Sequence, residues 1–252
     1  MWKLWKSQSQ GKQKKRPSAK KRKAQHYDNR GIYRSFAKLS WATMGYHYNW
    51  TERSYRQDEK SEMPTVLEHL SMRFARTCLL LEESGEELND EKRRSVAFNP
   101  TASIVNYYNI KSVMGGHQDD LELALDKPIV SISLGLPAVF LLGGKSKDEE
   151  PVVAILLRPG DVLCMGGASR LNFHAMARIL PLPVASKIAL PALVPHSRSV
   201  TFQSCHREGA TSTCMVPKEE QEHLREYLGE YRININVRQV YPDGSNDRDN
   251  EK

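Results

Sequence analysis

Two hydrophobic rhythms divide this chain. Between Pro64 and Leu81 the apolar residues Val66, Leu67, Leu70, Phe74, Cys78 and Leu81 recur at three- and four-residue steps. That is the spacing of one helical face, with Pro64 near its start and the acidic stretch 82–94 at its end. From Ser95 the chain changes to short apolar runs cut by Gly, Pro or charged turns, which is strand texture. Segments 102–108, 128–134, 138–142, 152–157 and 161–165 are predicted strands, residues 143–148 a hairpin loop and Pro159-Gly160-Asp161 a tight turn. Pro217 opens a second predicted helix, 218–231, with Leu224, Tyr227, Leu228 and Tyr231 on one face. Upstream, the aromatic cluster Trp41–Trp50 is interrupted by Gly45 and reads as strand and loop, and residues 51–63 read as polar loop. Many short strands with few helices predict a mainly β fold with flanking helices, a sandwich or jelly roll.

The second helix runs directly into Arg232-Ile-Asn-Ile-Asn-Val-Arg238. In a strand, side chains alternate between faces, so Arg232, Asn234, Asn236 and Arg238 share one face and Ile233, Ile235 and Val237 the other. A polar, doubly cationic face suits the lining of a site for a small dicarboxylate. The two arginine α-carbons lie roughly 20 Å apart at strand rise, a gap long guanidinium arms can narrow. Earlier in the chain stand His117 and Asp119, and later His174. Two histidines and one carboxylate are the ligand set of the facial triad that binds non-heme Fe(II) and leaves positions open. Taken together in this order, triad and arginine strand point to a 2-oxoglutarate-dependent oxygenase.

Charge changes the picture at one end. Of 37 Lys and Arg, ten fall in residues 1–27, which contain no acid; the remainder carries 27 basic against 30 acidic side chains. The net charge of +7 is therefore a property of the leader, and the rest is near neutral. Lys14-Lys15-Arg16 and Lys20-Lys21-Arg22-Lys23 read as a nuclear localisation signal or nucleic-acid patch, which makes nuclear import machinery an expected partner. A mitochondrial presequence would be richer in Arg and amphipathic, so the nucleus is the first expectation, with mitochondrion or cytoplasm as alternatives. No secretory h-region and no apolar run near 18 residues is present, so no membrane partner is expected. Cys78, Cys164, Cys205 and Cys214 are too few and scattered for a disulfide scaffold and are read as reduced, unliganded thiols. A hydrophobic content of 39% suffices for one core. The expected organisation is a basic leader (1–35), a lid and helix extension (36–94), the core (95–240) with a proline-rich variable insertion (181–217), and a polar tail (241–252).

Several ordered motifs resemble one family. They are Gly45 to Trp50, Asn106 with Tyr108, His117-x-Asp119, Lys127-Pro128, Phe140 to Gly144, Gly160-Asp161, Ser169-Arg170-Leu171 before His174, and Arg232-x-Asn234-x-x-x-Arg238. Across roughly residues 35–240 the chain resembles AlkB-type oxygenases, most closely the AlkB homolog 1 branch, whose members have a longer N-terminal portion. The resemblance implies a double-stranded β-helix (jelly roll) core with Fe(II) held by His117, Asp119 and His174. It implies 2-oxoglutarate and O2 as cosubstrates, Arg232 on the distal carboxylate, and Asn106, Tyr108, Asn234 and Arg238 lining the cosubstrate site. Trp41 and Tyr46 would contact the base from the lid, and Glu122 would stand where the family places base-contacting acids. Leu134, Leu163 and Met165 would supply an aliphatic surround. The implied reaction is oxidative demethylation of a methylated base in tRNA or DNA, releasing formaldehyde, succinate and CO2. The alternatives are a protein or histone hydroxylase or demethylase on the same core, and a catalytically silent nucleic-acid-binding protein.

Overall fold

A computed structural model of the chain describes residues 38–49, 51–82, 97–148, 151–181 and 218–243. The basic leader, Trp50, residues 83–96, the insertion from residue 182 with Cys205 and Cys214, and the tail beyond residue 243 lie outside them. Among the described residues the strands form two antiparallel sheets. The larger contains β1 (Trp41–Asn49), β2 (Ser54–Lys60), β3 (Ala102–Tyr108), β5 (Ile129–Gly135), β8 (Val162–Met165) and β10 (Arg232–Arg238), in the order β2-β1-β3-β10-β5-β8. The smaller contains β4 (Met114–His117), β6 (Ala138–Leu142), β7 (Val153–Leu157) and β9 (His174–Ile179), in the order β4-β9-β6-β7. Helices α1 (Thr65–Glu82) and α2 (Lys218–Glu230) flank this core. Neither is long and apolar enough to cross a membrane.

Strand parity builds both layers of packing. Tyr108, Phe140, Leu157, Met165, Met176 and Ile179 come from both sheets and fill the space between them. Val130 and Val237, on the outer face of the large sheet, pack with Leu67, Ala75, Met63 and Phe98 beneath α1. The expected apolar stripe of α1 is rotated. Leu67, Ser71, Ala75 and Leu79 are buried, whereas Val66 and Leu70 are exposed. The small side chains of Ser71 and Ala75 let the helix lie close to the sheet, which hydropathy alone does not reveal. On α2, Tyr227 is buried and stacks on Tyr231 at 4.6 Å, while Leu224 faces outward.

Two further expectations are corrected, and two strands appear that the hydrophobic pattern does not mark. Residues 54–60, read as polar loop, form β2, whose alternation is invisible because an edge strand need bury only one side chain in several. β1 runs unbroken through Gly45, which has φ +70°, and accommodates it by a register shift at Tyr46/His47. β4 and β9 carry no strong hydrophobic alternation; their pairing is set by the sheet they join.

Gly135 fixes the point where β5, β6 and the start of β10 converge. Its φ is +76°, and an added Cβ would collide with the Tyr231 carbonyl oxygen, which accepts the Leu136 N–H at 3.0 Å. Gly135 is also the register partner of Arg232. Gly135→Ala is expected to destabilise the protein by at least about 2 kcal/mol, through left-handed backbone strain plus the clash. The urea midpoint of variant against wild type checks this.

Candidate metal and cosubstrate site

β10 is paired along its length with β3 and β5, so its two faces are fixed by ladder bonds on both sides. Ile235 and Val237 join the core under α1, and Arg232, Asn234, Asn236 and Arg238 therefore project between the sheets. The same parity operates on β5. Val130 and Ile132 face α1, while Ile129 and Ser131 line a pocket between the sheets. Tyr108, Phe140, Leu163, Met165, His117, Asp119, His174, Asn234 and Asn236 line it too. The pocket, with the open solvent at its mouth counted in, spans about 460 Å³. Leu163 and Met165 supply the expected aliphatic surround; Leu134 does not, because parity puts it on the opposite face of β5 from Ser133.

The three triad residues meet at one wall of this pocket. One ligand atom from each of His117, Asp119 and His174 lies within 4.8 Å of the others. His117 and His174 are register partners across β4 and β9, so a sheet ladder sets their spacing. Asp119 lies just beyond the end of β4, in a loop rather than on an extended strand with His117. The Nδ1–H of His117 donates to the Gly115 carbonyl at 2.9 Å, and that of His174 to the Asn172 carbonyl at 3.1 Å. A carbonyl can only accept, so each ring is held with Nε2 as its lone-pair nitrogen, as a metal ligand requires. Gln118 ties the ligand-bearing loops together, its amide donating to Leu171 O at 2.6 Å and Lys145 O at 3.2 Å.

Charge prepares the site for a cation. Burial alone would raise the pKa of Asp119, but Arg238 first, then His174, His117 and Arg170, hold it at about 2. Burial, then neighbouring His117, lowers the pKa of His174, keeping its ring neutral and able to donate a lone pair. An anionic carboxylate and two oriented imidazoles fit a first-row divalent metal with open positions.

The two arginines of β10 have different surroundings. Arg232 is 0% exposed. Its Nη1 donates to Leu136 O at 3.2 Å and its Nη2 to Ser133 Oγ at 2.8 Å. Its Nε has no hydrogen-bond partner, and no carboxylate is within ion-pair distance among the described residues. Burial lowers its pKa to about 10, so it stays charged at neutral pH. Arg232 is outside the pocket lining, two residues before Asn234 on the same face of β10, and a buried cation with no counter-ion among the described residues is costly. Arg238 is instead paired within the protein, its Nη2 to Asp119 Oδ2 at 3.3 Å and its Nη1 to Glu122 Oε1 at 2.8 Å. It belongs to the metal end of the site. Asn234 donates to Ser131 Oγ at 2.8 Å. Asn106 is buried and in register with Asn234, beside the pocket but outside its lining, whereas Tyr108 is part of it.

Two of the expected base contacts are buried and partnered within the protein. Tyr46 is 5% exposed, packs with Ala102 and Val240, meets Tyr241 edge-on at 5.3 Å and has Lys60 Nζ over its ring. The structure places it in the core. Glu122 is 2% exposed, and both its oxygens accept bonds from Arg238, Arg170 and Tyr55. It is neither a solvated acid nor one free to meet a base. Trp41 remains 39% exposed at the start of β1, in register with Asn106.

Residues without an assigned role in the sequence also contribute. Ser131 and Ser133 had a legible signal, being polar at alternate positions of an apolar strand. Arg170 carries three bonds into the site, yet only its place four residues before His174 marks it. Tyr55, on the unexpected strand β2, gave no signal at all. Phe140 stacks on His174 with centroids 5.7 Å apart.

Because the folded pKa of Asp119 is depressed, its contribution to stability is present above the ordinary carboxylate value of 3.8 and lost as pH falls toward 2. Metal-free protein is expected to lose stability across that window. Asp119→Asn should flatten the slope by up to one proton, read from urea unfolding at stepped pH.

The sequence profile of the 2OG-Fe(II) oxygenase superfamily matches residues 3–238. The chain is 36% identical over 209 residues to the nucleic acid dioxygenase ALKBH1 of Homo sapiens, covering 81% of this chain and 46% of that protein. It is 36% identical over 205 residues to the DNA N(6)-methyladenine demethylase ALKBH1A of Arabidopsis thaliana, covering 81% and 49%. A tRNA demethylase, abh1 of Schizosaccharomyces pombe, is 33% identical over 57% of this chain and 43% of its own length. The chain thus spans about half the length of the curated relatives it matches. The solved structure of OsALKBH1 superposes with a TM-score of 0.53 at 24% identity, covering 85% of this chain and 92% of that one, and supports the jelly-roll fold.

Proposed function

Since this chain belongs to the 2OG-Fe(II) oxygenase superfamily, we propose that it oxidatively demethylates a methylated base in nucleic acid, tRNA or DNA. The observation that carries the reading is the triad in a pocket with the β10 face that also bears Arg232. A His117, Asp119 and His174 ligand set lines the pocket with Asn234 and Asn236, and Arg232, buried behind the lining on the same face of β10, has no carboxylate partner among the described residues. Demethylation of nucleic acid is favoured over a protein substrate because the relatives above are named for nucleic acid, DNA and tRNA.

The residues divide the work as follows. His117, Asp119 and His174 would hold Fe(II), and Arg232 would bind the distal carboxylate of 2-oxoglutarate with Ser133 beside it. Bound there, the iron supplies O2 activation coupled to oxidative decarboxylation of 2-oxoglutarate, and hydroxylation of an N-methyl group leads to release of formaldehyde. Arg238 keeps Asp119 ionised. Tyr108, whose hydroxyl faces Met114 Sδ at 3.8 Å, has its pKa raised by burial and stays protonated as a hydrogen-bond donor. Ile129, Phe140, Leu163 and Met165 keep the pocket wall apolar, which limits water around the reacting atoms. Trp41 is the exposed aromatic that a base extruded from its strand would meet, stacking being the usual way such bases are gripped.

The reading is tested by succinate formation from 2-oxoglutarate with Fe(II)-loaded protein, with and without oligonucleotides carrying N1-methyladenine in RNA or N6-methyladenine in DNA. Stimulation by a methylated oligonucleotide over its unmethylated twin is expected, and stimulation by neither would reject a nucleic-acid substrate of these kinds. His117→Ala should abolish succinate formation, with full activity sinking the iron assignment. Arg232→Ala should raise the KM for 2-oxoglutarate by about 10- to 100-fold, the equivalent of a charge-assisted pair of about 1.5–3 kcal/mol. We further propose that the basic clusters in residues 14–23 address the protein to the nucleus. Deleting residues 1–25 of a fluorescent fusion should then disperse it into the cytoplasm.

A further inference from the structure

Beside the proposed iron ligands lies a buried acid, Glu122, for which the reaction as read above has no use. Glu122 follows Asp119 by three residues, and its side chain is 1% exposed. Its Oε2 accepts from Arg170 Nη2 at 2.9 Å, and its Oε1 accepts from Arg238 Nη1 and the Tyr55 hydroxyl, each at 2.8 Å. Both arginines continue to Asp119. Arg170 donates through Nη1 to the Asp119 backbone carbonyl and through Nε to the Lys127 carbonyl at 2.9 Å. Arg238 donates through Nη2 to Asp119 Oδ2 at 3.3 Å. Two cations and two anions therefore balance away from solvent, and one of those anions is a proposed metal ligand.

We infer that Glu122 is a positioning residue for Asp119, drawing one arm of Arg238 away from that carboxylate so that an oxygen stays free for the metal. Guanidinium and carboxylate groups favour a paired, two-bond fork. Without Glu122, Arg238 has one carboxylate left within reach, and closing a fork on it would occupy both Asp119 oxygens. In the structure Arg238 spends Nη1 on Glu122 and makes a single, long contact to Asp119, whose Oδ1 accepts no hydrogen bond among the described residues. Through Arg170 the same carboxylate pins the Asp119 main chain, which lies in a loop and has no ladder of its own. Tyr55 supplies the third bond on Glu122 and joins β2 to the site. Partners of metal ligands are usually worth about 10- to 100-fold in affinity, and the expected effect lies in that range.

This inference rests on the reading of His117, Asp119 and His174 as the metal ligands, and its test separates the two. Co(II) is titrated into the full chain under argon and followed by its visible d–d absorption, with thermal unfolding recorded in parallel. Wild type is expected to bind one Co(II), and no binding would overturn both the ligand assignment and this inference. Glu122→Gln should bind Co(II) about 10- to 100-fold more weakly and show an altered d–d spectrum at saturation. A merely structural role would lower the melting temperature and leave the saturated spectrum unchanged. Glu122→Asp keeps the charge balance but is one methylene too short to reach both arginines. It decides the matter if the Gln variant does not fold, and a several-fold loss with the same spectral change is expected. Wild-type affinity and spectrum in either folded variant would overturn the proposal.

Discussion

The site depends on one constraint, the period-two alternation of a strand held on both sides. β10 is bonded to β3 along one edge and β5 along the other, so it can neither slip nor turn. A slip of one residue would carry two arginines and two asparagines to the helix side and put isoleucines in the pocket. The apolar face under α1 makes that register the stable one, because Val237 and Val130 are buried with Leu67 and Ala75 in the same cluster. Hydrophobic packing on one face thus holds charge on the other, where charge alone would be unfavourable.

How that charge is compensated differs along the strand, and the difference gives the pocket its direction. At the Arg238 end, carboxylates of the protein answer it, one of them a proposed iron ligand. At the Arg232 end, among the described residues, only carbonyl and hydroxyl oxygens do. A molecule with an anionic group at one end and metal-binding oxygens at the other therefore has one favourable orientation between them. The three ligands of the metal end are positioned by unlike means. His117 and His174 are fixed by the ladder between β4 and β9, and Asp119 by the arginines. The histidine pair thus depends on the smaller sheet, and the aspartate on contacts reaching to the larger one.

Much of this is legible in the sequence. The Arg-x-Asn strand, the triad in order and five core strands followed from spacing and residue type, because strand parity and helical periodicity are local properties. What was not legible is non-local. Residues 54–60 form an edge strand with hardly any apolar signal, and Tyr55 reaches Glu122 across 67 residues of sequence. Tyr46 and Tyr48 look alike in sequence, yet a register shift in β1 sends Tyr46 into a core with Val240. Glu122 reads as a surface acid unless Arg170 and Arg238 are known to converge on it. The buried stripe of α1 is not legible in the sequence because Ser71 and Ala75 are buried for their small size rather than their hydropathy.

The most direct test of the central claim is anaerobic calorimetry of 2-oxoglutarate binding, with and without Fe(II). If the metal site and Arg232 act on one ligand, the protein should bind one 2-oxoglutarate per chain, and much more tightly once Fe(II) is present. Equal binding in the presence and absence of metal, or none in either, would contradict the account.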